Sequence, residues 1–241
     1  MKLGFYPKLA WTGMRSNRKL YLPYLITCIS MVAMLYIVGY LSGAEAVRHL
    51  PGGQFIQESL GLGVWIIALF AGLFLVYSSS FLMRRRKKEF GLYNILGMGK
   101  GHLGMVVFWE TVMTAVISIS GGLVAGIMLS KLSELCIVNI VGGEVDYSLT
   151  ISGRSVITAC IVFAVIFLVI MVKSLWQIRR TNAINLLKSE NVGEKLPRLH
   201  WFWGTLGAVV LGAAYYLALS IEDPLSALFI FLAILLITSG T

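Results

Sequence analysis

Apolar residues in this chain come in uninterrupted blocks. Residues 20–44 and 59–83 contain no ionised side chain, and 103–130 contains one, Glu110. Residues 155–172, 201–221 and 224–241 are again free of Asp, Glu, Lys and Arg. Each block falls near the ~20 residues that carry an α-helix across a ~30 Å hydrocarbon layer. None alternates apolar and polar residues as a barrel strand does. A segment in lipid must close its own backbone hydrogen bonds, so helices are expected. The pattern predicts an all-α, polytopic membrane protein of about six transmembrane helices, the last cut short at Thr241.

Composition narrows the class. Of the 241 residues, 58% are hydrophobic and only 13% are charged, with a mean hydropathy of +0.83. Soluble domains carry about 25% charged residues, so this chain cannot cover a soluble surface, and a soluble enzyme is excluded. The net charge of +9 changes meaning once the cations are located. Seventeen of the 20 lysines and arginines lie in 1–20, 84–102 and 173–200. The segments between, 42–58, 131–154 and 222–223, hold most of the acids. Lys and Arg in short loops stay on the cytoplasmic side, so a cytoplasmic N-terminus is expected, in the cell membrane, with no nucleic-acid partner. The apolar run at 20–44 exceeds the ~7–15 residues of a signal core and reads as a retained helix. Cys28, Cys136 and Cys160 imply no disulfide framework.

Between the blocks lie segments with chemistry of their own. In residues 1–20, Phe5, Leu9 and Thr12 recur at helical spacing with Tyr6 and Trp11 beside them and Lys8, Arg15 and Arg18 among the polar positions. That predicts a short interfacial helix with cations near anionic headgroups and aromatics at headgroup depth. Five cations, Arg84 to Lys88, directly follow the second block and anchor its end. After them Phe90, Tyr93 and Leu96, with Leu92 adjacent, form a small apolar face that should dock on something. Gly97, Gly99 and Gly101 then let the chain turn into the third span. The string Gly99-Lys-Gly-His-Leu-Gly104 matches a dinucleotide fingerprint only as letters, since no strand precedes it.

Glu110 sits about two turns into a span. Two readings stand side by side: a proton or substrate site, or a packing carboxylate that is protonated or paired with a cation such as Lys173. The pairs Gly122/Gly126 and Gly39/Gly43 read as close-packing devices between helices. Leu132, Leu135, Cys136 and Asn139 extend the third span as a partly apolar helix, and residues 145–152 read as extended. The stretch 181–196 reads as a short capped helix and polar linker. No His-Glu-x-x-His motif and no Ser–His pair falls within a span, so nothing suggests an enzyme, and no cofactor or metal is expected on this chain.

The residues RRRKKEFGLYNILGMGKGHLGMVVFWE, followed by two spans and closing on QIRRTNAINLLKSEN, resemble the FtsX-like permease module of MacB-type ABC transporters. RSNRKLYLPYLIT is similar to the start of the bacitracin-export (BceB-like) permeases of Firmicutes. The resemblance implies a division into an interfacial helix (1–20), a first transmembrane helix (21–44) and a permease module (60–180) with a cytoplasmic coupling segment (84–103). A linker (181–200) and an incomplete helix pair (201–241) follow.

It further implies that a separate ATPase subunit, which binds the ATP, docks on the segment holding Lys88, Glu89, Gly91, Leu92 and Gly97. Its closure would be passed through the helices to the outer face, so that an antimicrobial peptide is exported or detoxified by mechanotransmission. Glu110 matches a carboxylate typical of that module. Such permeases have further spans, a large external domain and a second module, which makes this sequence an N-terminal part of a longer permease or a truncated product. The partners implied are the ATPase, membrane lipids, the rest of the permease and, for some relatives, a sensor histidine kinase. The alternative is an FtsX-like signalling scaffold controlling a sensor kinase or a cell-wall hydrolase. A secondary transporter would need inverted repeats or several intramembrane polar residues, and neither is found.

Overall fold

A computed structural model describes residues 5–48, 52–95, 97–141, 151–180 and 212. The helices below belong to the compact unit Met1–Lys188; Ser189–Thr241 is a second unit. In chain order they are α1 (Phe5–Ser16), α2 (Arg18–Gly43), α3 (Glu45–Arg48), α4 (Gly53–Arg85), α5 (Lys87–Ile95), α6 (Lys100–Val141) and α7 (Gly153–Arg180). No strand occurs among the described residues. The expected linker at 181–200 and the spans expected at 201–221 and 224–241 lie outside the described residues, residue 212 excepted, as does most of the extended stretch at 145–152.

Four helices, α2, α4, α6 and α7, are long and apolar enough to cross a membrane. They coincide with the first four apolar blocks and overrun them. The largest excess is in α6, whose 42 residues span about 60 Å at 1.5 Å per residue, twice a hydrocarbon core. Leu132, Leu135, Cys136 and Asn139 continue this helix as expected. Large apolar side chains point outward along α4: Phe70, Phe74, Tyr77 and Phe81 are 43–66% exposed. In water such a stripe would drive aggregation, whereas in a bilayer it is the solvated face.

Helices α4, α6 and α7 pack around α2, whose main interfaces are with α6 and α4. Tyr21 meets Glu110 and Tyr40 meets Glu134, so α2 and α6 run parallel. Gly39 of α2 lies beside Val64 and Ser155, and Gly104 of α6 beside Leu175, so α4 and α7 run the other way. Cys28, Val32, Leu35, Leu75, Phe163 and Phe167 fill the centre.

Glycine sets the α2–α6 approach. A Cβ at Gly122 would collide with the Val32 side chain and lie 2.9 Å from the Ile29 carbonyl oxygen, and one at Gly126 would lie 3.0 Å from Tyr36. This pair is the packing device expected of it. Gly39 and Gly43 are not: a Cβ would meet only ordinary contacts at 3.7–4.0 Å at Gly39 and nothing within 4 Å at Gly43. The spacing is the same in both pairs, but only Gly122 and Gly126 face a helix backbone.

A helix forms within residues 1–20, and one side of it packs on the bundle. Ala10 and Met14 are buried and Tyr6, Gly13 and Asn17 lie on the same side, while Phe5 and Thr12 are exposed. The small residues Ala10 and Gly13 let α1 lie close against the start of α6. Asn17, a residue favoured at helix N-caps, separates α1 from α2 and makes no side-chain cap hydrogen bond; its amide is used elsewhere.

Candidate functional site

One residue separates α4 from α5. Arg86 has φ −92° and ψ 2°, in the sparsely populated bridge region between helix and strand conformations. The helical hydrogen bonding nevertheless runs across it, from Arg86 N–H to the Leu82 carbonyl and from Phe90 N–H to the Arg86 carbonyl. Arg86 therefore continues the buried stripe of Ser79, Leu82 and Phe90 while bending the chain into α5. Its side chain is 1% exposed.

A buried guanidinium needs partners for its five donors, and the surrounding helices provide them. Arg86 Nη1 lies 2.6 Å from Glu110 Oε2 of α6 and also donates to the Tyr21 hydroxyl of α2. The Tyr21 hydroxyl donates in turn to the same Glu110 oxygen at 3.1 Å. Arg86 Nε donates to Glu89 Oε2 of α5 at 3.0 Å. Glu89 Oε1 accepts from Asn17 Nδ2 at 2.7 Å, and Asn17 Nδ2 also reaches the Gly13 carbonyl at 3.3 Å. The guanidinium carbon stands 5.3 Å from the Tyr21 ring centroid and 5.0 Å from that of Phe90, within cation–π range.

Burial opposes the charge of Arg86, but Tyr21, Glu110 and Glu89 outweigh it and push its pKa up. It stays a cation, and Glu110 is its carboxylate partner.

Gly13 closes the site from the α1 side. A Cβ there would stand 3.3 Å from both Arg86 Nη2 and Glu110 Oε1, so a larger residue would press on the pair. Glu110 Oε1 itself is buried without a hydrogen-bond partner among the described residues. Next to the pair lies a cavity of about 30 Å³ whose lining includes Glu110, Tyr24, Ser79, Thr111, Thr114 and Ser174. Among the described residues no group of His, Cys, Asp and Glu is arranged to hold a metal ion.

The six sequence-predicted residues divide between these surroundings. Glu89 and Glu110 meet at Arg86. Lys88 lies in the first turn of α5, its side chain outside the described set. Gly91 is buried. Leu92 is 55% exposed and points away from the bundle, while Phe90 packs with Met83, Leu103, Val107 and Ile178, and Tyr93 lies against them. Gly97 has φ +88° and ends α5 with a Schellman-type bond from Met98 N–H to the Tyr93 carbonyl at 2.9 Å. Lys173, the cation expected opposite Glu110, is instead exposed.

Reasoning from sequence does not single out Arg86, Tyr21, Asn17 or Gly13. Arg86 is concealed in a run of five cations that serve as membrane anchors. One signal is present: continuing α4 in register puts position 86 on the Leu75–Ser79–Leu82 stripe, one cation on a buried face beside one intramembrane acid.

A second buried pair ties α2 and α6 at their other ends. Glu134 Oε2 accepts from Tyr40 Oη at 2.7 Å and from Lys131 Nζ at 3.1 Å, beside Tyr36, Leu41 and Val47. The Gly122–Gly126 face lies between the two Tyr–Glu contacts.

Residues 61–183 match the FtsX-like permease C-terminal family. The chain belongs to the FtsX-like permease family. This FtsX-like permease is 25% identical over 236 residues to the uncharacterized ABC transporter permease YvcS of Bacillus subtilis, an alignment that covers 97% of the chain and 36% of that protein. It is 26% identical over 219 residues to the bacitracin export permease protein BceB of the same organism, covering 88% and 33%. Against the BceB of Halalkalibacterium halodurans the identity is 22% over 210 residues, covering 86% and 32%. The FtsX-like permease chain thus spans about a third of the length of these relatives. It is a multi-pass membrane protein. The family match includes Arg86, Glu89 and Glu110; Gly13, Asn17 and Tyr21 complete the site from the helices before it.

Proposed function

We propose that this chain is part of an ABC transporter permease subunit in which α5 is the coupling helix. A separate ATPase subunit binds and hydrolyses ATP and docks on α5 through its outward side, where Leu92 is exposed. The N-terminus and α5 face the cytoplasm, as the cation distribution supports. The observation that carries the reading is the ionic chain from Glu89 through Arg86 to Glu110 and Tyr21. A displacement of α5 moves a charged hinge residue that is bound to α2 and α6 inside the bundle. A buried guanidinium cannot leave its carboxylate without a large desolvation cost, so the two spanning helices have to follow. Gly122, Gly126 and the Tyr40–Glu134–Lys131 contact keep α2 and α6 together over their length, which carries the displacement to the opposite end by mechanotransmission. The names of the relatives support an antimicrobial peptide such as bacitracin as the substrate class for export or detoxification.

The test is ATPase-coupled resistance in the full-length permease. Glu89→Ala and Gly97→Val should each abolish peptide resistance while the protein still inserts in the membrane and still binds its ATPase. Wild-type resistance in both variants would remove α5 from the coupling path.

A further inference from the structure

The outer side of α1 carries charge that the ion-pair site leaves unused. Tyr6, Ala10, Gly13, Met14 and Asn17 turn inward, so helical geometry puts Lys8, Thr12 and Arg15 on the opposite side. Phe5 and Trp11 flank that cationic stripe and are 44% and 52% exposed. Residues 1–20 contain five Lys and Arg and no Asp or Glu. A stripe of cations between two aromatic side chains, on a helix packed against the start of a spanning helix, is complementary to anionic lipid headgroups.

The inner side of the same helix lies on the ion pair. A Cβ at Gly13 would stand 3.3 Å from Arg86 and Glu110, Asn17 donates to Glu89 at 2.7 Å, and the Tyr6 hydroxyl lies 2.6 Å from His102 Nδ1 with the two rings stacked. Ala10 and Met14 are buried in the same interface. The helix is only 12 residues long and packs through one side, so it can open locally while the spanning helices stay folded.

We propose that α1 is a lid whose docking on the Glu89–Arg86–Glu110 chain is set by the charge of the membrane surface. Anionic headgroups held by Lys8 and Arg15 keep α1 down, so that Gly13 covers the buried pair and Asn17 holds Glu89. On a neutral surface the cations lose their counter-charges and α1 lifts from α6, which frees Glu89 on one side. The idea extends the coupling reading, since it makes the coupling joint sensitive to lipid composition, but its test needs no ATPase.

The full chain is placed in nanodiscs of phosphatidylcholine alone and of phosphatidylcholine with phosphatidylglycerol, and hydrogen exchange is followed by mass spectrometry. With phosphatidylglycerol, amides of 5–16 should exchange about tenfold more slowly, and those of 87–95 should slow as well. Lys8→Gln with Arg15→Gln, both exposed and outside the ion pair, should remove the lipid dependence and leave exchange in α2 and α6 unchanged. Equal exchange of 5–16 in the two lipids overturns the proposal. So does a lipid dependence that survives the double substitution, or protection of 5–16 that arises only when an ATPase subunit is added, which would assign this face to a protein. Should the coupling reading fail instead, peptide resistance persists in the Glu89 and Gly97 variants while this exchange pattern is unchanged.

Discussion

Arg86 Nη1 and Glu110 Oε2 are 2.6 Å apart, 24 residues distant in sequence and nearly inaccessible to solvent. The first residue is the hinge between a spanning helix and a short helix that lies against the bundle. The second is inside another spanning helix. Their contact turns a local bend in the chain into a link between helices.

Breaking the pair from one side should be far worse than removing both charges. Arg86→Met leaves a buried carboxylate with only Tyr21 beside it, at a cost of about 3–5 kcal/mol. Adding Glu110→Gln should recover a large part of that loss, since the neutral double variant has no unpaired charge. Unfolding midpoints in detergent for the two single variants and the double variant test this. Additive losses would mean that the two residues act independently.

Glu89 is a different kind of partner. It is 35% exposed, so its pairing with Arg86 is worth little more than a surface ion pair, below about 1 kcal/mol. Glu89→Ala and Asn17→Ala should leave the unfolding midpoint within a degree or two of wild type, on the order of the small ΔΔG involved, while the first abolishes and the second weakens ATPase-coupled resistance. A large loss of stability in either variant would show that these residues hold the fold rather than the link.

Gly122→Leu should disrupt the α2–α6 interface, because its Cβ already overlaps Val32 and its longer side chain has no exit. A cost of about 1–3 kcal/mol or more is expected from overpacking. Gly43→Ala is the control: nothing lies within 4 Å of the added methyl, and replacing glycine in a helix is neutral to stabilising by roughly 0.5–1 kcal/mol. Comparable losses at the two positions would contradict the packing.

Glu134→Gln should destabilise the far ends of α2 and α6 by about 1–3 kcal/mol, since Lys131 would keep its charge in a buried setting. Because the Lys131–Glu134 pair is buried, raising the salt concentration should change wild-type stability little. A Glu134→Gln variant as stable as wild type would show that the Gly122–Gly126 packing alone holds the helices.

Gly97 reports on backbone geometry alone. Its φ of +88° suits glycine, and no atom lies within 4 Å of the place an added methyl would take, so Gly97→Ala costs only the strain of a left-handed conformation, about 1–2 kcal/mol. Hydrogen exchange at the α5–α6 junction should rise in that variant, with exchange in α2 and α7 unaltered.

The sequence determined by itself that the chain is a membrane-embedded helical protein, and where its first four spans lie. That information is local: an uncharged run of about 20 residues can be counted without knowing its neighbours. It also indicated Glu110, because one carboxylate within apolar surroundings stands out wherever the helix goes. Which cation meets it was not legible. Arg86 and Lys173 carry the same charge and both lie just past an apolar block, and only the helix packing buries the first and leaves the second exposed. The same holds for the two glycine pairs, alike in spacing, of which only Gly122 and Gly126 face a neighbouring backbone. The inner face of α1 escapes the sequence for this reason too: small residues contact another helix, and the larger Phe5 and Trp11 remain outside. Hydrophobic length is a property of one segment, whereas a buried ion pair or a close helix crossing is a property of several, and only the tertiary structure brings those segments together.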